Sequence, residues 1–442
     1  MIRTFNYNLA LLFMIMLFSG CSEPVAQYKE GAMVFDFGTT AQERTKETKV
    51  HHIDTSTEYS PGKFGFDFNT GASVMLEKKG ALSSDPFYFS VALPEGNYRI
   101  TADIIHTDHN SPTVIKAESK RIMINETALK TGTVQSFTFT VNVHGTKIND
   151  SVIVNLKERE LSALNYDEKL TLEFSKGTLL NKLVIEPAES SVTLFLAGDS
   201  TVTDQDLEPW ASWGQFITSY LNPNIAVANY AASGASLSSF KARRRWAKII
   251  STLNAGDYVM IEFGHNDEKQ KGPDAGPWKN YSDLLIEFVA QVKEKGGNPI
   301  LITPTQRRFF NEDGTLKDTH GEYPDAMRKV AKDAGVPLVD LTAITTVVYQ
   351  AWGDDASRKA FVQYPAGTFP GQTETLEDNT HFNNFGANEI ALCILNDLQE
   401  EESSLVTYYR EPIKFNPESP NRFENWTLPL SLRFEQQKPE GN

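Results

Sequence analysis

Cysteine is nearly missing from this chain, with only Cys21 and Cys393 among 442 residues. So few thiols exclude a disulfide-built scaffold. Histidine is scarce as well, and the eight present are scattered without zinc-ligand spacing, so neither a metal nor any other cofactor is expected. Positive charge is short: 42 Lys and Arg stand against 57 Asp and Glu, a net charge of −15. Phosphate backbones need a basic footprint, so nucleic acid is excluded as a partner, and an anionic membrane surface is disfavoured. An acidic polymer stays open, because a local basic patch outweighs a distant negative average.

Long apolar runs are also lacking. The conspicuous one, Leu9 to Phe18, falls short of the roughly 20 residues a bilayer-spanning helix needs. Placed after Arg3 and before small residues, it reads as the core of a signal peptide over residues 1–20. The ending "LFSGC" resembles a bacterial lipobox, which makes Cys21 the expected lipidation site. A lipoprotein of the bacterial cell envelope, periplasmic or at the cell surface, is then expected; a plain secretory signal is the alternative. With lipid on Cys21, no intramolecular disulfide remains.

What is present is an ordinary globular composition, 40% hydrophobic and 22% charged, in a chain long enough for two or three domains. From about Val34 to Pro187 the pattern alternates apolar and polar residues. "FYFSVALPEGNYRITADII" reads as two strands around a turn, and "QSFTFTVNVHG" and "KLTLEFSKGTLLNKLVIEP" continue it. A β-sandwich accessory domain over residues 21–189 is expected. From Ser190 the pattern changes: "VTLFLAG", "IAVANYA", "DYVMIEFG", "NPILITP" and "GVPLVDL" alternate with helical periods. Trp213, Phe216, Ile217, Tyr220 and Leu221 form one apolar helical face; Trp246, Ile249, Ile250 and Leu253 form another. This predicts a three-layer α/β domain over 190–400, with a flavodoxin-like parallel five-stranded sheet. Residues 401–442 contain Pro412, Pro417, Pro420 and Pro429, so they are expected to be an extended tail packed back on the first domain.

In open α/β sheets, ligands bind beyond the carboxyl ends of the strands. Strand order 2-1-3-4-5 sets three loops side by side: "GDSTVTDQ", "ASGASLSSF" and "GHNDEKQ". Ser200 lies where the first strand ends, and a hydroxyl there needs a base to become a nucleophile. His381 in "EDNTHFNNFGANE" is the candidate base, with Asp378 three residues earlier to orient it. The backbone N–H groups of Ser200 and Gly234 and the side-chain amide of Asn266 are the candidate oxyanion donors. Each piece alone has a plainer explanation in turns and helix caps. Their convergence over one crevice carries the serine-esterase reading.

The blocks "GDS", "NYAASG", "GHND" and "DNTH" resemble those of the SGNH (GDSL-type) hydrolase superfamily, on Ser200, Gly234, Asn266 and His381. "EPWASWGQ", "TPTQRRFF", "GEYPDAM" and "PAGTFPGQ" narrow the similarity to the rhamnogalacturonan acetylesterases, carbohydrate esterase family 12. "FDFGTT", "GFDF" and "LPEGNYRI" resemble the galactose-binding-like sandwich that precedes the catalytic domain in some members. The resemblance implies hydrolysis of acetyl esters on the backbone of pectin, and hence an acetylated pectic polysaccharide or oligosaccharide as partner. Acetylated xylan, another glycan or a small acyl ester are alternative substrates. A glycan-binding lipoprotein with an inert hydrolase domain is a third reading.

Because galacturonate is anionic, Arg307 and Arg308, after the fourth strand, are candidate substrate contacts, with structural ion pairing as the alternative. Trp210 and Trp278 are candidate sugar platforms. The run Arg243 to Arg245 is expected on a solvated helix face, and His320 as a structural hydrogen bonder.

Overall fold

The computed structural model describes residues 30–38, 50–106, 112–126 and 131–440. The signal-peptide segment and Cys21 lie outside the described residues, and among those described no helix is long and apolar enough to cross a membrane.

The first region is two packed sheets. One carries the order Val134–Val143, Gly96–His106, Thr178–Pro187, Met33–Asp36, Val50–His52, with Val74–Glu77 and Gly80–Ser83 joined at its side. The other runs Phe64–Asp67, Phe87–Ala92, Lys169–Phe174, Thr113–Ala117, Arg121–Glu126. Pairing is antiparallel except for Met33–Asp36 against Val50–His52. Alternating side chains from both sheets meet in an aromatic interior of Phe35, Phe37, Phe66, Phe87, Phe89, Phe139 and Phe174. Several of these rings meet edge to face, Phe37 and Phe89 with centroids 5.1 Å apart.

The second region holds a five-stranded parallel sheet. Its strands are β1 (Val192–Gly198), β2 (Ile225–Asn229), β3 (Tyr258–Glu262), β4 (Asn298–Ile302) and β5 (Leu338–Val339), in the order 2-1-3-4-5. All five residues of β2 and of β3 are buried, as expected where helices cover both faces. One face packs Trp213, Phe216, Val348, Ile390 and Ile394; the other packs Phe240, Trp246, Ile249, Leu285 and Phe288.

The helices are shorter than their apolar periods suggest. The period from Trp213 forms one α-turn, Trp213–Phe216, and tightens to 3-10 over Ile217–Tyr220. The next breaks into Leu237–Ala242 and Arg245–Thr252, because Arg244 takes φ 66° between them. Arg245 is not on a solvated face: it is fully buried, against the expectation for the basic run. Its guanidinium pairs with Glu160 of the first region and donates to the Tyr166 hydroxyl and, at 3.1 Å, to the Tyr230 carbonyl.

Asp378 and His381 do not sit on a free loop. They sit instead in a β-hairpin, β6 (Phe361–Tyr364) against β7 (Leu376–Phe382), with an irregular register between Phe361 and Gln363. A strand held on one side by a partner fixes a side chain more firmly than a free loop does. Residues beyond Glu400 form two 3-10 turns and otherwise extended chain. This tail packs on the second region as well as the first: Ser431 Oγ donates to Glu173 at 2.7 Å, while Glu435 N–H donates to the Glu208 carbonyl at 2.9 Å.

Candidate active site

β1 ends in Gly198, and the chain must turn there with no room to spare. A Cβ on Gly198 would stand 2.4 Å from a Val202 methyl and 3.0 Å from the Glu262 carbonyl oxygen. Asp199 then organises the turn. Its Oδ1 accepts from the Thr201 N–H and Thr201 Oγ1, each at 3.0 Å, which holds Ser200 at the apex. Across the cleft, Asp378 does the same for β7. Its Oδ1 accepts from the N–H groups of Thr380 (2.7 Å) and His381 (2.9 Å), curling the strand so that side chains three apart face one another.

The result is an unbroken chain of hydrogen bonds: Ser200 Oγ to His381 Nε2 at 2.9 Å, and His381 Nδ1 to Asp378 Oδ2 at 2.8 Å. With Nδ1 donating to the carboxylate, Nε2 is left to accept the serine proton. Burial alone would raise the Asp378 carboxyl. The hydrogen bond and charge of His381, with the two N–H donors, reverse this and hold it at about 2. Asp378 is thus ionised wherever the protein works.

The other expected residues converge on the same place. Gly234 has φ 73°, a left-handed turn that a side chain would strain. Asn266 Nδ2 donates to the Ala235 carbonyl at 3.1 Å and to Asp199 Oδ2 at 3.3 Å, tying the loops after β1, β2 and β3 together.

Beneath Ser200 lies a polar layer that the sequence did not announce. Glu262, at the end of β3, accepts from Thr201 Oγ1 at 3.0 Å and from the Trp213 indole N–H. Burial, and then the nearby charge of Asp199, push its carboxyl to about 8, so at neutral pH Glu262 holds a proton. Burial lowers His265 to about 4 despite Asp199 at 3.6 Å, so that ring is neutral there. Against the cost of burial, the Asp199 carboxyl is held below its ordinary value by the His265 ring and then by the Thr201 N–H and hydroxyl. The signal for this layer was the acidic residue ending a fully apolar strand, "VMIE".

Three of the four expected substrate contacts are corrected. Arg307 and Arg308 do not offer free charge to a ligand. Arg307 pairs with Glu268 and donates to the His265 carbonyl at 3.3 Å; Arg308 pairs with Asp354 and donates to Asn379 Oδ1 at 2.9 Å. Both guanidiniums are held in structural ion pairs, with carboxylates from the loop after β3 and from the helix Leu341–Ser357. Trp210 is buried, its indole N–H donating to the Glu435 carbonyl at 3.2 Å and its ring edge-on to His381 at 5.9 Å. It is a wall of the triad rather than an open platform. Trp278 is half exposed, in an irregular turn (Pro277–Tyr281). His320 bonds Glu268 and the Thr305 carbonyl, at 2.9 and 2.8 Å, as a structural residue should.

A sheet of this order with a serine, histidine and aspartate at its carboxyl edge defines a serine-type α/β hydrolase. Residues 196–388 match the GDSL-like lipase/acylhydrolase family. The chain is 40% identical over 211 residues to the rhamnogalacturonan acetylesterase RhgT of Bacillus subtilis, covering 47% of this chain and 90% of that one. It is 28% identical to the rhamnogalacturonan acetylesterase of Emericella nidulans, covering 49% and 88%. An uncharacterized esterase of Bacillus subtilis, YxiM, is 22% identical over 88% of this chain and 96% of its own. The chain belongs to the GDSL-like lipase/acylhydrolase family and is a carboxylic ester hydrolase.

Proposed function

We propose that this protein removes acetyl groups from the rhamnogalacturonan backbone of pectin, through an acetyl-enzyme on Ser200. The observation that carries the reading is the Ser200–His381–Asp378 hydrogen-bond chain. The substrate rests on the similarity to RhgT, which extends over 90% of that protein.

In this reaction Ser200 Oγ bonds to the acetyl carbonyl carbon while its proton passes to His381 Nε2. The ester C–O bond breaks and the sugar oxygen takes that proton. Water, deprotonated by the same nitrogen, then attacks the acetyl-serine and releases acetate. Asp378 keeps His381 in the right tautomer and balances the imidazolium. The Ser200 and Gly234 N–H groups and the Asn266 amide serve the oxyanion, each worth about 3 kcal/mol in the transition state. Asn266 turns from Asp199 to do so. We further read residues 21–189 as an accessory sandwich of galactose-binding-like type and 190–400 as the catalytic domain, with the tail from 401. Lipidation of Cys21 holds the protein in the bacterial cell envelope.

The test is acetate release from acetylated rhamnogalacturonan and acetylated xylan, side by side, with Ser200→Ala as control. Release from the pectic polymer, lost in the variant, is the expected result. Release from xylan alone keeps the mechanism and discards the substrate. No release from either, by a folded protein, overturns the reading.

A further inference from the structure

Beside the loop that carries Gly234 is a cleft of about 190 Å³ between the two regions. One wall comes from the hydrolase region, with Gln205 and Ser233. The other comes from the first region, with Lys157, Arg159 and Glu160. Gln205 Nε2 donates to the Ser200 carbonyl at 2.8 Å, so one wall residue of the cleft is bonded to the nucleophile's turn.

The charges around this cleft are paired. Glu160 is taken by Arg245, Asp204 by Arg121 at 2.6 Å, and Asp206 by Arg433 at 2.8 Å. Arg433 belongs to the tail, as do the carboxylate partners that Lys157 and Arg159 have among the described residues, Glu440 and Glu435. Lys157 is also the first region's cation that reaches the loop carrying Gly234. Its Nζ donates to the Ser233 carbonyl at 2.6 Å and would lie 3.3 Å from a Cβ placed on Gly234. Its backbone is fixed as well, the Lys157 N–H donating to Glu160 at 2.8 Å, and Glu160 is anchored by buried Arg245.

The tail reaches this place in two ways. Up to Gln436 it is bonded in depth, through Ser431, the Glu435 backbone on Glu208, and Phe434 stacked on Phe369 at 4.9 Å. Beyond that, the ties to the site are two ion pairs from half-exposed side chains, Lys438 to Asp378 at 3.2 Å and Glu440 to Lys157. Such pairs hold weakly in water. Ser200 is only 3% exposed, and beside it Lys438 stands on Asp378 and Glu440 against Gly234.

We infer that Lys157, from the first region, receives the carboxylate of an acidic sugar next to the acetylated residue, and that Glu440 occupies its place in the resting chain. This rests on the pectic reading above, and it gives a chain of net charge −15 the local cation an anionic polymer requires. Arg159, along the same wall, stays paired with Glu435. The first region thereby contributes to substrate choice, which the hydrolase region alone would not supply.

The test is calorimetric binding to the full chain, with trigalacturonate and neutral xylotriose as probes, a readout that does not need turnover. Trigalacturonate is expected to bind and xylotriose not. Lys157→Met should weaken the binding about tenfold or more, and Lys157→Arg should recover most of it, since a charge-assisted contact needs only the cation. Glu440→Gln should tighten binding a few-fold by removing the competing carboxylate. Equal binding of both sugars, no binding of trigalacturonate, or no change in Lys157→Met overturns the inference. Acetate release is read separately: loss of binding in Lys157→Met without release from rhamnogalacturonan would sink the substrate and leave the subsite standing.

Discussion

The two halves of the molecule bury different chemistry. Between the sheets of the first region the interior is phenylalanine and branched aliphatic side chains. Its buried Lys116, Lys120 and Arg121 lie on the face turned to the rest of the chain, where they meet Ser431, Glu208 and Asp204. The hydrolase region instead buries Asp199, Glu262 and Asp267 directly under its catalytic loops. A buried carboxylate costs several kcal/mol before its partners repay it, so such groups are poor stabilisers. The contrast is between a core closed by packing alone and one that also buries titratable groups where a catalytic loop must be positioned.

The hardest break of this contrast is Ser200→Ala. It removes one oxygen from the serine's turn and leaves the packing alone. Turnover should fall at least about 10⁴-fold, with an unchanged melting temperature. A variant that keeps measurable turnover would move the nucleophile elsewhere.

The opposite break is Phe89→Ala, which empties the middle of the aromatic cluster. It should cost about 3–5 kcal/mol by denaturant titration and leave kcat untouched below the transition. Lost kcat in a still-folded protein would mean that the two cores are not separable.

A third measurement reads one group that is both stabilising and functional. Asp378 has a folded-state pKa of about 2 against an ordinary 3.8. Its contribution is therefore present above pH 4 and is lost as pH falls toward 2. From the size of the shift the loss is about 2 kcal/mol. Stability measured at pH 5 and pH 2 should differ by about that much more in the wild type than in Asp378→Asn. Equal differences would show that His381 does not hold Asp378 ionised.

How far the sequence foretold this follows the same division. β1 to β3 and their loops were legible because each is local: an apolar run, a small-residue turn, an apolar helical face. Asp378 and His381 were legible as a pair, but their hairpin was not, since β6 and β7 are joined by a Gly- and Pro-containing stretch without strand alternation. Arg307 and Arg308 were misread because a basic pair at a strand end does not reveal Glu268 or Asp354, which arrive from other elements. Arg245 looked solvated for the same reason, its partner Glu160 lying 85 residues away in the other region. Lys157 carried no signal at all: a single lysine in "VNLKERE" acquires meaning only when Ser233 and Glu440 are set beside it.

Trp210 offers the finest test of the contrast, because it touches both the triad and the tail. Its ring stands edge-on to His381, and its indole N–H donates to the Glu435 carbonyl. Trp210→Phe keeps an aromatic edge beside the histidine and removes that one hydrogen bond, worth about 1 kcal/mol. If the tail is a separately held strap, the loss should appear as faster amide exchange in residues 433–440, since weakly held segments open locally at little cost. Turnover of a small acetyl ester should then change by less than about threefold, a difference of roughly 0.7 kcal/mol or less. Unaltered exchange would show that Phe434 and Ser431 hold the tail without Trp210. A large fall in turnover would instead make the indole a positioning residue for His381, binding the tail's fate to the triad rather than to the first region.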